Sequence, residues 1–313
     1  MKTAHFKAPF HFLLMTSLSL IMFFRSTGQH LIPGQDSAYP LYSKIDTIQF
    51  KQHKKVFDFE KFNLNRIYAL RKTLQTQLAT EDPLVDFLYA ASMDLYPYGH
   101  GKPKDAGIAL TYYSKAANKG LALAEKILFD IYRYGLMEQP RDEQKALMYL
   151  HRVIQHGNAG YKAKGYSDMA TLFEAGEFTT IQPNKDSVLY YLEQALVYSP
   201  NDTWVLDYVG GTYEEMGNFE KAITYLLRSD NEQSHIKVAR WFMEGTVVEK
   251  DVNRALQILY KAADTVIKLY GKDLEGYMGG SNPLHVLNDW YSCKKWITRD
   301  QLGKYFDPNW MCD

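Results

Sequence analysis

Residues 96–120 read YPYGHGKPKDAGIALTYYSKAANKG, and this stretch decides the fold. Tyr96 stands three residues before Gly99, a proline-containing connector follows, and a second run ends at Gly120. A glycine just past a helix adopts the left-handed conformation that stops it, at little steric cost. In the second run Ala109, Tyr112 and Ala116 fall at i, i+3 and i+7, so they share one helix face. The stretch therefore predicts the end of one helix, a glycine turn, and a second helix whose small residues admit a close neighbour.

The same features recur in register. An aromatic precedes a glycine by three at Tyr132 and Gly135, Phe173 and Gly176, and Phe242 and Gly245, and by four at Tyr213 and Gly217. Three residues before each aromatic stand Met93, Phe129, Ala170, Gly210 and Ala239. The second-helix triplet returns as Ala146, Tyr149, Val153; as Val188, Tyr191, Ala195; as Ala222, Tyr225, Ser229; and as Ala255, Ile258, Ala262. Ser229 is its poorest member, and TTIQPNKDSV, residues 179–188, departs most from the usual connector. Independent features held in phase point to a repeated helix pair.

GHGKPKDAGIALTYYSKAANKG (99–120) closely resembles a Sel-1-like repeat. YRYGLMEQPRDEQKALMYLHRVIQHGN (132–158) and WFMEGTVVEKDVNRALQILYKAAD (241–264) resemble it too. WVLDYVGGTYEEMGNFEKAITYLLRS (204–229) resembles a tetratricopeptide repeat, with Gly210, Tyr213, Gly217 and Ala222 on its pattern. The resemblance implies an all-α, right-handed α-solenoid of antiparallel helix pairs. It also implies a non-enzymatic scaffold binding a protein or peptide in a concave groove lined by the first helices. On that implication, the residue after each aromatic and those two and six before it face the groove. These are Asp94, Lys126, Asp130, Arg133, Ser167, Thr171, Glu174, Asp207, Glu214 and Arg240. Trp204 is the candidate exposed anchor, since tryptophan is enriched at binding hot spots.

The rest of the chain frames this array. Lys2 and Lys7, the uncharged run Phe12–Phe24, and Ser26-Thr27-Gly28 read as a signal peptide over residues 1–28, cut ahead of Gln29. That predicts an exported bacterial protein, periplasmic or extracellular, without a membrane span once the signal is removed. Residues 29–61 read as a flexible or uncertain lead. Ile67, Leu70, Leu74 and Leu78 mark a capping helix within 62–82. Residues 83–264 hold the helix pairs. Residues 265–313 form a tryptophan-rich cap with Trp290, Trp296 and Trp310, and a terminal helix over 284–297. Cys293 and Cys312, the chain's two cysteines, are a candidate disulfide.

Composition narrows the function. Thirty-six basic and 36 acidic side chains balance, against a general nucleic-acid binder. No HExxH, GxSxG or phosphate-binding glycine loop is present, and His151 and His156 are five apart, off one helix face. No catalytic set, metal or cofactor is expected. Two other readings stay open: a cell-wall or carbohydrate-binding module using the C-terminal tryptophans, and a regulatory subunit of an envelope enzyme.

Overall fold

The computed structural model describes residues 64–93, 103–271 and 282–308. The signal and lead segments, Asp94, the Tyr96–Gly99 turn, Trp310 and Cys312 lie outside them. Every regular element among the described residues is helical, and the fold is an all-α repeat solenoid of antiparallel helix pairs. The chain divides into two compact units, residues 1–168 and 169–313.

The first unit holds α1 (Leu64–Gln77), α2 (Pro83–Met93), α3 (Pro103–Asn118), α4 (Ala122–Tyr134) and α5 (Glu143–His156), and the start of α6 (Ala159–Ala175). Helix α1 packs on α2, α2 pairs with α3, α3 packs on α4, and α4 pairs with α5. Leu74 is buried in that arrangement while Thr73 and Thr76 stay outside, so α1 offers one apolar edge to the first pair. The triplet works as its spacing predicts. Ala109, Ala116, Ala146 and Val153 are fully buried. The aromatic between them meets the aromatic of the first helix: Tyr112 lies edge-on to Tyr89 at 4.7 Å, and Tyr149 stacks on Tyr132 at 5.9 Å. Such ring pairs contribute about 0.5–1.5 kcal/mol beyond the area they bury. A further close approach appears at Gly165, where a Cβ would stand 2.7 Å from the Ile154 side chain.

The second unit continues with α7 (Lys185–Tyr198), α8 (Thr203–Glu215), α9 (Phe219–Arg228), α10 (Glu232–Glu244), α11 (Val252–Tyr270), α12 (Pro283–Ser292) and the short α13 (Arg299–Leu302). Helix α8 packs against both α7 and α9, α9 against α10, α10 against α11, and α11 against α12. Starts are fixed chemically: Asn184, Asp202, Asn218, Asn231, Asp251 and Asn282 each accept a backbone N–H with their side chain at a helix N-cap. Stops are fixed by glycine, with Gly135, Gly176, Gly217 and Gly245 all left-handed. The unusual connector after Gly176 keeps the fold, because Pro183 packs where a Cβ would otherwise sit, 2.6 Å from its Cγ. Asn184 then returns its N–H to the Phe173 carbonyl at 3.2 Å.

One weak match is explained and one expectation needs correction. Ser229 fits the triplet poorly because α9 ends at Arg228; Ser229 is its buried C-cap, and its Oγ accepts the Asn231 N–H at 3.1 Å. The terminal helix expected over 284–297 ends at Ser292. Lys295 takes a positive φ of 56°, and Trp296 turns back to donate its N–H to the Trp290 carbonyl at 2.8 Å. The helix before it, α11, runs on to Tyr270. Among the described residues no cysteine is free: Cys293 is disulfide-bonded, and its candidate partner Cys312 lies outside them.

Adjacent glycines in α8 have opposite environments. A Cβ on Gly210 would lie 2.6 Å from Leu226 Cγ, whereas one on Gly211 would meet nothing within 4 Å. Gly210→Ala should therefore lower stability by about 1–3 kcal/mol through overpacking. Gly211→Ala should raise it by about 0.5–1 kcal/mol, the ordinary helix preference. Urea denaturation of the two variants checks the sign.

His235 on α10 gives the second unit a pH dependence. Its Nε2 donates to the Ser229 carbonyl at 2.9 Å. Burial, reinforced by Lys261 and opposed by that carbonyl, holds the imidazole below its ordinary pKa of 6.5. On acidification the unfolded chain takes up this proton first, so it binds more protons in the window just below 6.5. Stability should fall across that window and level off below the folded pKa. Denaturation at stepped pH should show a smaller fall in His235→Gln.

Candidate functional site

The first-helix faces carry the candidate binding residues, and the two units treat them differently. In the first unit Lys126 of α4 is buried, with its Nζ 2.7 Å from both Asp130 carboxylate oxygens and 3.4 Å from Asp168 Oδ2 on α6. Lys164 reaches Asp168 at 2.8 Å. Burial alone would lower the Lys126 pKa, but Asp130 and Asp168 outweigh it and the ammonium is held above its usual range. Burial opposes the Asp168 carboxylate too, yet Lys126, Lys164 and Arg133 keep it below the usual range. Asp130 is pushed up, by burial first and then by Asp168.

Arg133 is buried with its guanidinium 5.5 Å from the Phe129 ring centroid and 4.9 Å from that of Tyr134. Ser167 is buried and donates its hydroxyl to the Ala163 carbonyl at 2.9 Å. The expectation of an open face thus does not hold at Lys126, Arg133 and Ser167. Lys126 is committed to Asp130 and Asp168, Arg133 lies against two rings, and Ser167 is bonded within α6; a buried cation such as Lys126 needs close carboxylates to stay charged.

Two residues of this region had no place in the sequence reading. Asp168 is one. Glu125 is the other, at 0% exposure, its Oε1 2.9 Å from Arg152 Nε and 3.0 Å from His156 Nδ1. Its Oε2 is buried without a hydrogen-bond partner. A signal was present: Glu125 lies between Leu121 and Leu128 on the apolar stripe of α4, where a carboxylate demands a buried partner.

In the second unit the face is open. Trp204, at the start of α8, is 51% exposed and lies edge-on to Tyr208 at 5.0 Å. Tyr208 donates its hydroxyl to the Glu174 carboxylate at the end of α6. Glu174 and Arg240 are exposed, Thr171 half-buried. Burial, and then the neighbouring Glu215, raise the Glu174 pKa, with Lys185 opposing. Glu215 pairs with Lys185 at 2.7 Å and Glu214 with Lys237 at 2.9 Å. Asp207 is held by Asn231 Nδ2 and Ser234 Oγ, both at 2.6 Å. Tyr208 and Glu215 join a face that the sequence reading had placed on Thr171, Glu174, Trp204, Asp207, Glu214 and Arg240.

The two C-terminal tryptophans among the described residues, Trp290 and Trp296, do not share one exposed surface. Trp290 is 2% exposed, inside a core with Val286, Leu287, Ile297 and Leu302; Trp296 is 40% exposed against it, ring centroids 5.8 Å apart. Tyr305 closes over Tyr260, stacked at 5.2 Å, and donates to Asp264 at 3.0 Å. Among the described residues no group of His, Cys, Asp and Glu side chains is placed to hold a metal ion.

Three segments of the chain, residues 86–121, 122–158 and 233–264, match the family model described as Sel1 repeat. Residues 159–232, with the tetratricopeptide-like unit, fall between them. Among solved structures the chain is similar to a Sel1 repeat protein from Oxalobacter formigenes. That similarity has 16% identity, 76% coverage of this chain, 93% of that one, and a TM-score of 0.48. It is also similar to a protective antigen present in uropathogenic Escherichia coli strains displaying an SLR fold. There the identity is 17%, the match covers 82% of this chain and 61% of that one, and the TM-score is 0.46. No curated protein matches the chain.

Proposed function

We propose that this chain, an all-α solenoid carrying Sel1 repeats, is a non-enzymatic scaffold that binds a protein or peptide segment on the first-helix face of its second unit. Sel1 repeat proteins generally mediate protein–protein interaction. The observation that carries the reading here is the 51% exposure of Trp204 beside Tyr208 on a first helix. Leaving a large aromatic in water forgoes about 1.5–3 kcal/mol of burial that a partner can recover. A face preformed by packed helices also loses little conformational freedom on binding. The corresponding Lys126, Arg133 and Ser167 of the first unit are instead buried, which supports placing the partner on the second.

No helix among the described residues is long and apolar enough to cross a membrane. The basic start and uncharged run of residues 1–28 support an exported chain working in a bacterial envelope or outside it. Balanced charge supports a protein partner over nucleic acid.

The test is capture. Full-length chain and its Trp204→Ala variant are expressed in the native envelope, crosslinked with a short amine-reactive reagent, and recovered. The wild type should capture a defined protein and the variant at least tenfold less of it. Equal capture by both chains, or none by either, would contradict the proposal.

A further inference from the structure

The cap that closes the second unit carries a run of cations with no acid among them. Residues 290–299 read WYSCKKWITR, and Lys294, Lys295 and Arg299 are all exposed. Asp289 and Asp300 flank the run. Among the described residues none of the three cations forms an ion pair, with those two or with any other carboxylate. Lys304 is different, since it is paired with Asp264 at 2.8 Å. Rings line the cations up. Lys295 Nζ lies 5.9 Å from the Tyr291 ring centroid, Tyr291 meets Phe306 edge-on at 6.0 Å, and the Arg299 guanidinium lies 3.9 Å from the Phe306 centroid. These four side chains make one continuous row, and both of its rings are half-buried. Trp296 follows Lys295 in the chain, 40% exposed, with its ring against the buried Trp290.

The turn that presents Lys294, Lys295 and Trp296 is held by the backbone. The Lys294 N–H donates to the Asp289 carbonyl at 2.9 Å and the Trp296 N–H to the Trp290 carbonyl at 2.8 Å. Lys295 holds φ at 56°, a left-handed conformation that glycine would take at less cost. The lysine gains no carboxylate in return, only the Tyr291 ring. Lysine, arginine, tyrosine and tryptophan share an apolar body and a polar tip. A lipid interface favours that form, with rings and stems at the boundary of headgroups and acyl chains and charges at the phosphates. A run without a carboxylate sets the sign of the surface it fits, which is anionic.

We propose that this row is the contact by which the chain rests on an anionic lipid bilayer, with Trp296 entering the interface and Lys294, Lys295 and Arg299 on lipid phosphates. The inference goes beyond the scaffold reading and does not depend on it, because the row lies on the cap and α8 takes no part in it.

The test is sedimentation with vesicles. Each chain is purified from its native cells, in the form they make, and mixed with vesicles of phosphatidylglycerol and phosphatidylcholine in equal parts, or of phosphatidylcholine alone. The wild type should partition at least tenfold more strongly onto the anionic vesicles, and high salt should release it. A lysine or arginine near such a surface contributes about fivefold, so Lys295→Gly should weaken partitioning about fivefold. Lys294→Gln, Lys295→Gly and Arg299→Gln together should weaken it about a hundredfold. Trp296→Ala should weaken it about fivefold through lost interfacial burial. Glycine suits the left-handed backbone, so Lys295→Gly should melt at or above the wild-type temperature, which separates lost binding from lost folding. Lys294→Arg should bind as the wild type does. Equal partitioning onto the two vesicles, or partitioning unchanged in the triple variant, would overturn the inference. So would a chain that binds soluble poly-glutamate but neither vesicle, which would make the row a peptide site.

Discussion

Arg152→Ala should destabilise the protein by about 3–5 kcal/mol, far more than a surface ion pair would. Arg152 lies on α5 and reaches into α4, where Glu125 has no exposure to water. Its guanidinium also donates to the Ala117 carbonyl on α3, so one side chain ties three helices. Removing it leaves the Glu125 carboxylate buried with His156 at 3.0 Å and with its Oε2 still unbonded. That uncompensated charge sets the size of the loss. Replacing both partners, as in Glu125→Met with Arg152→Met, should recover most of it, because apolar side chains of similar volume need no charge partner. Denaturant titration of the single and double variants gives both numbers. A loss under about 1 kcal/mol for Arg152→Ala would mean the pair behaves as an exposed one.

Trp290→Ala should cost about 3–5 kcal/mol, the usual range for deleting a buried aromatic. Trp290 fills the core shared by α10, α11 and α12, which includes Phe242, Leu259 and Leu287. The backbone turn from its carbonyl to Trp296 would lose its support as well. Trp296→Ala should cost no more than about 1 kcal/mol, since that ring is 40% exposed. The ratio of the two losses separates a structural tail from a tryptophan binding surface. Similar small losses would put Trp290 outside the core.

Much of this architecture was legible in the residues themselves. Helix stops needed only a glycine at fixed distance from an aromatic, and the buried triplets needed only spacing, because both are local consequences of helix geometry. Tyr112, Tyr149 and Tyr191 were correctly given the space beside small residues; Tyr149 and Tyr191 each meet the first-helix aromatic of their own pair, and Tyr112 meets Tyr89 of α2. What escaped depends on partners far away in sequence. The candidates Lys126 and Arg133 sit at groove positions by spacing, but whether they are free is decided by Asp168, which α6 delivers. Tyr208 was invisible for the same reason: its role comes from Glu174 on another helix. The tail's helix end at Ser292 follows a local turn at Lys295 that no apolar periodicity encodes.

The most direct measurement of the central claim is photo-crosslinking from single positions of the full-length chain in its native cells. A photoreactive residue is placed in turn at Arg240, exposed on the first helix α10, and at Val197, exposed on the second helix α7. The same partner should be captured from position 240 at least tenfold more efficiently than from 197, with Trp204→Ala abolishing the difference. Equal capture from both positions, or capture from 197 alone, would contradict binding on the first-helix face.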